Sequence, residues 1–124
     1  MYKWPSCYQV DFSKPPMCYW SNITKMDYLQ RRIIVYSIMY YEHSESCVSD
    51  KYFDGISYQL VDMIKQYGLE QYRQTTYYYA MHNFDATTGF DVPSKLTKYD
   101  RAYLSHIAAI VHEQWVRDGK QIVK

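Results

Sequence analysis

Between Tyr40 and Asp54 the chain reads Tyr-Tyr-Glu-His-Ser-Glu-Ser-Cys-Val-Ser-Asp-Lys-Tyr-Phe-Asp. The rings of Tyr40, Tyr41 and Phe53 offer faces able to sandwich a flat heterocycle. Asp50 and Asp54, one helical turn apart, offer carboxylates that accept from ribose hydroxyls or from an amide NH₂. Free N–H groups at the start of the helix that carries them suit a phosphate. Together these groups have the chemistry needed to bind a nucleotide. Each also has a plain structural use: aromatic pairs at helix ends pack loops, and an aspartate near a helix start caps it.

Such a site needs two helices and a short connection to hold it. Thr24, with Asp27 three residues later, has the spacing of a capping-box start. Leu29, Ile33, Tyr36 and Tyr40 then mark one helical face running to about Glu42. His43 to Ser46 break the pattern. Ser49 is placed to cap a second helix, with Asp50 in its first turn, where a carboxylate suits the positive end of the helix dipole. Phe53, Ile56, Leu60, Ile64 and Tyr67 form that helix's apolar face, and Gly68 is placed to end it. The expected unit, residues 24–67, is a helical hairpin that brings Tyr40 and Tyr41 to Asp50, Phe53 and Asp54.

Around the hairpin the signals are weaker. Residues 1–22 read as an irregular arm: Pro5, Pro15 and Pro16 oppose a helix, while Trp4, Tyr8, Phe12, Tyr19 and Trp20 can pack across the body. Residues 69–96 read as a loop-rich segment. One further helical turn is possible at Leu69–Gln74, and Tyr77-Tyr78-Tyr79 has strand propensity but no partner strand. Asp85, Thr87, Thr88 and Asp91 surround Gly89 on a turn that could reach a ligand. Thr97 with Asp100 predicts the cap of a C-terminal helix over 97–118, with Leu104, Ile107, Ala108, Val111 and Trp115 facing inward. The fold class expected is mainly α in a single domain, 1–124: a helical hairpin plus a C-terminal helix, wrapped by irregular aromatic-rich segments.

Composition narrows the function further. With 14 basic and 13 acidic residues the net charge is +1, which argues against direct nucleic-acid binding. No apolar run reaches the length of a membrane span, and the first ten residues lack the apolar core of a signal peptide. Three cysteines without a C-x-x-C pair read as reduced thiols in a cytoplasmic protein. The 16 tyrosines suit surfaces that are apolar on the body and wet at the tip, and they could supply the interface of a homo-oligomer, the state expected of a protein that encloses a small ligand. His82, His106 and His112 are too scattered to hold a metal, and neither a metal nor a resident cofactor is expected. Asn83-Phe84-Asp85-Ala86-Thr87 has a phosphatase-like spacing, but asparagine stands where the nucleophilic aspartate belongs.

The stretch from Tyr40 to Asp54 resembles the small N-terminal helical (Ia) domain of bacterial NAD-dependent DNA ligases. That family carries a Tyr-Tyr or Tyr-His pair, a short spacer, then Ile/Val-Ser/Pro-Asp-x-x-Tyr-Asp and an amphipathic helix. The matching positions here are Tyr40 and Tyr41, Val48-Ser49-Asp50, and Phe53-Asp54, with Leu60 and Ile64 continuing the helix. Leu29-Gln30-Arg31-Arg32 is similar to the Leu- and Arg-rich helix ahead of the family motif. The likeness covers residues 27 to about 67. Phe53 replaces the family's tyrosine, and Gly55 follows Asp54 within the helix. The Lys-x-Asp-Gly adenylation motif, the zinc-binding cysteines and the oligonucleotide-binding barrel have no counterpart here.

In such ligases the domain closes over NAD and grips its nicotinamide mononucleotide (NMN) half. The resemblance therefore implies nucleotide contacts at Tyr40, Tyr41, Asp50 and Asp54, with Phe53 beside them as a further candidate. The expected function is a non-catalytic binder of a small nucleotide of the NMN, NAD or ADP-ribose class. Virus-encoded sponges that sequester a nucleotide immune signal, such as a cyclic ADP-ribose type molecule, are proteins of this type, acting in the host cytoplasm. The alternative is an accessory or split-ligase module that supplies the NMN-side grip to a separate ligase. A protein-interaction module with a degenerate pocket is the third reading.

Overall fold

Ser21 opens the first helix by accepting a hydrogen bond from the Thr24 backbone N–H at 3.1 Å, and α1 runs from Asn22 to His43. This places the cap three residues earlier than Thr24, and Asp27 does a different job. Its carboxylate accepts from the Thr76 N–H at 2.7 Å and the Thr76 hydroxyl at 3.3 Å, tying a distant turn to the helix. The structure, a computed structural model, describes residues 12–87, 89–122 and 124. Trp4, Pro5, Cys7, Tyr8 and Thr88 lie outside the described residues.

Ser49 caps α2 (Asp50–Tyr67) through the Tyr52 N–H at 3.1 Å, as its position predicts. Gly68 ends α2 with φ +93, a conformation that a side chain resists, and α3 (Leu69–Tyr72) follows directly. α4 (Tyr78–Met81) is a single turn where the tyrosine run suggested a strand. A 3₁₀ segment, Gly89–Lys95, leads to α5 (Lys98–Arg117), capped by Thr97 accepting from the Asp100 N–H at 3.2 Å. The fold is mainly α, with no strand among the described residues. Nor is any helix of those residues long and apolar enough to cross a membrane.

α1 is the central element. The sequence predicts one buried face, but between Arg32 and Met39 every residue of α1 is buried. Its neighbours explain this, since α2, α5 and the 89–95 segment all pack against it. Ser37 tolerates the position because its hydroxyl donates to the Ile33 carbonyl at 2.9 Å. α2 contributes Phe53, Ile56, Leu60 and Met63 to the core, and α5 contributes Leu104, Ala108, Val111 and Trp115. Tyr40, the last residue of the predicted α1 face, is half exposed and leaves the core for a cleft.

Buried polar groups lock the segments to α1. Gln30 donates to the Thr75 hydroxyl at 2.9 Å and accepts from the Tyr77 N–H at 3.3 Å. The tyrosine run is thereby accounted for. Tyr77 is buried, Tyr78 packs edge-on to Tyr72 with ring centroids 5.5 Å apart, and the Tyr79 hydroxyl donates to Asp100 and accepts from the Thr97 N–H. Of the arm's aromatics, Phe12 and Trp20 pack edge-on around Tyr28, with Trp20–Tyr28 centroids 5.3 Å apart. Tyr19, expected to pack with them, is almost fully exposed.

Candidate functional site

The turn between α1 and α2 decides what faces what. Ser44 terminates α1 in the left-handed conformation, its N–H bonded to the Tyr40 carbonyl at 2.9 Å. The chain then reverses, with Cys47 and Val48 buried beneath the turn. Consequently the C-terminal end of α1 and the N-terminal end of α2 share one cleft of about 560 Å³. Among the described residues it is lined by Tyr40, Tyr41, Asp50, Phe53 and Asp54. A small recess beside it, about 20 Å³, is lined by Tyr36, Ser46 and Val48 together with Tyr40, Asp50 and Phe53. The larger space falls within the range of small-molecule pockets; the recess holds little more than a water.

The site joins an aromatic wall to an acidic edge. Phe53 is buried and forms the floor, whereas Tyr40 and Tyr41 each expose about half their surface, at 52% and 55%. Their rings meet edge to face, with centroids 6.2 Å apart and planes at 74°. This arrangement leaves no parallel slot between them, so the pair does not form a sandwich. A flat ring can stack on one tyrosine while the other closes the side. Asp50 and Asp54 are both exposed on the same face of α2. The Asp54 carboxylate makes no hydrogen bond or ion pair among the described residues.

Two further site residues inferred from sequence do not join the cleft. Asp85 closes a local turn, accepting from the Thr87 N–H at 3.0 Å and the Thr87 hydroxyl at 2.7 Å. Asp91 lies in the 3₁₀ segment, where its carbonyl accepts from the Ser94 hydroxyl at 2.7 Å. Neither lines the cleft. Local Asx geometry uses the Asp85 carboxylate, which a spacing argument cannot foresee.

Residues that sequence reasoning missed brace the site from α5. Arg101 and Ser105 both donate to the same oxygen of Glu42, at 3.2 and 2.8 Å, directly beside Tyr41. Glu45, at the tip of the turn, is held by His112 at 2.8 Å and by Lys120 at 3.1 Å. The His112 hydrogen bond, with that of Lys120, keeps the Glu45 carboxyl below the usual carboxylate range. His112 also stacks on His43, ring centroids 4.2 Å apart and planes within 12°. A second missed cluster lies behind the cleft. The buried Arg32 guanidinium donates to Tyr36 at 2.8 Å, to Tyr52 at 2.6 Å and to Tyr28 at 3.4 Å. Tyr28 and Tyr36 are therefore more than apolar packing. The only sequence signal for the cluster is helical register, since 28, 32 and 36 share one face.

Among the described residues no group of three His, Cys, Asp or Glu side chains is placed to hold a metal ion. No protein-family model, curated protein or solved structure matches the chain.

Proposed function

We propose that the Tyr40–Asp54 cleft binds a small NAD-derived nucleotide and holds it without turnover. The observation that carries this reading is the convergence of three aromatic side chains and two carboxylates from separate helices on a single cleft of about 560 Å³. The aromatic wall supplies stacking energy for a flat base or nicotinamide ring. Asp50 and Asp54 supply acceptors for ribose hydroxyls or an amide NH₂. They also repel phosphate, and the Tyr52 N–H at the start of α2 already donates to Ser49. The ligand's phosphates therefore belong at the mouth of the cleft rather than at the helix start where the sequence suggested them.

The same charge makes the cleft selective. A cationic ring beside two carboxylates and over a tyrosine face gains both Coulomb and cation–π attraction. Oxidised NMN and NAD therefore bind more tightly than the reduced, uncharged nicotinamide of NADH. A non-catalytic grip of this kind works as a sponge for a nucleotide signal, including those of the cyclic ADP-ribose class, because sequestration needs affinity alone.

Mass spectrometry of ligand released by heat from protein purified out of cells making NAD-derived signals tests the assignment. An intact nucleotide of this class in stoichiometric amount supports it. A cleaved product would make the protein an enzyme, and recovery of an adenylating enzyme in a pull-down with no small molecule would favour the accessory role.

A further inference from the structure

We propose that the Tyr40–Asp54 cleft is a site for a quaternary ammonium group, so that small trimethylammonium compounds bind where the nucleotide does. The inference rests on the same cleft as the nucleotide reading but not on the same ligand. Tyr40 and Tyr41 meet edge to face with planes at 74°, so the ring of one stands against the face of the other. Such a pair makes a corner with an aromatic face on each of two sides. A flat ring can lie against only one of those faces, whereas a rounded group in the corner touches both. Phe53 lines the same cleft and adds a third ring. Both tyrosines are half exposed, so their faces are within reach of a ligand.

Charge fixes the sign of the occupant. Asp50 and Asp54 line the cleft, and neither carboxylate has an ion pair or hydrogen bond among the described residues. No lysine or arginine of those residues lines it to offset them. Aromatic faces and carboxylates together attract a cation, the first through the ring quadrupole and the second through Coulomb force. A primary ammonium is strongly hydrated and gives up its water reluctantly against rings. A trimethylammonium group presents methyls to the rings and has no N–H to leave unsatisfied, so its burial costs less. A cleft of about 560 Å³ admits the whole of a compound the size of choline, with its polar end at the mouth.

Calorimetric titration of the full chain with choline, ethanolamine and dimethylbutanol, the uncharged isostere in which carbon replaces the choline nitrogen, tests the proposal. Choline should bind saturably, and the other two at least about fivefold more weakly. Tyr41→Leu should weaken choline by about fivefold, while Tyr41→Phe, which keeps the ring, should bind it like the wild type. Phosphatidylcholine vesicles carry the same group, and which of vesicle and free choline binds separates a lipid headgroup from a soluble compound as its source. Binding of neither would overturn the proposal. So would equal affinity for the uncharged isostere, or a Tyr41→Leu variant that binds choline as the wild type does. Competition separates this proposal from the nucleotide reading. Choline binding by a chain that takes no nucleotide overturns that reading alone, and bound NMN that saturating choline fails to displace overturns this proposal alone.

Discussion

Asp54 is the residue on which the nucleotide reading is most exposed to test. Among the described residues its carboxylate makes no hydrogen bond or ion pair, and yet it lines the cleft. Asp54→Asn should therefore weaken NMN binding about tenfold or more, the effect of losing a charged acceptor. Thermal stability should stay close to that of the wild type, as read by circular dichroism. Arg32 is the converse case, a residue with structural work and no place in the cleft lining. Arg32→Met would leave the Tyr28, Tyr36 and Tyr52 hydroxyls short of a buried donor, with an expected cost of about 3 kcal/mol in urea unfolding. Tyr40, Tyr41, Asp50, Phe53 and Asp54 were legible as a set because helical register and a short turn fix their proximity. Asp85 was not separable from them in sequence, because a carboxylate satisfied by its own turn looks the same as one awaiting a ligand. Nor was Asp91, because spacing does not reveal that its 3₁₀ segment lies away from the cleft.

At the scale of elements, α2 carries an evident imperfection. Gly55 is exposed within the helix, and a Cβ at that position meets nothing within 4 Å. Gly55→Ala should stabilise the protein by roughly 0.5–1 kcal/mol, seen as a higher urea midpoint with an unchanged slope. The α1–α2 turn makes a second prediction through Glu45. Its folded carboxyl sits below the ordinary range, so its contribution to stability is present above the unfolded carboxylate value. That contribution is lost as pH falls through the lower folded value. Acid titration of Glu45→Gln should show a shallower loss of stability below pH 4 than the wild type. The helices themselves were readable from the sequence where caps and apolar spacing agreed, as at Ser49 and Thr97. The 69–96 region was less legible. There the tyrosine run has strand propensity, but Gln30, Asp27 and Asp100 bind its backbone and hydroxyls in a turn and a short helix. Contacts that span so much sequence leave no local signature.

For the whole molecule, the tyrosine excess divides by position. Tyr36, Tyr72 and Tyr77 belong to the core around α1, Tyr40 and Tyr41 to the cleft, and Tyr99 and Tyr103 to the outer face of α5. Burial raises the first three above the ordinary phenol value, and it pushes Tyr72 up to about 12. Between pH 10 and 12 the unfolded chain releases a proton that folded Tyr72 retains, so stability falls as pH rises through that window. Tyr72→Phe should flatten this alkaline limb in urea unfolding measured across it. The central claim concerns the cleft, and it is tested most directly by calorimetric titration of the wild type and Asp54→Asn with NMN, NAD and cyclic ADP-ribose. The reading predicts saturable binding of at least one of these to the wild type, with the oxidised nicotinamide preferred over NADH wherever that ring is engaged, and a clear loss in the variant. Absence of binding to all three, or equal affinity in wild type and variant, would contradict it.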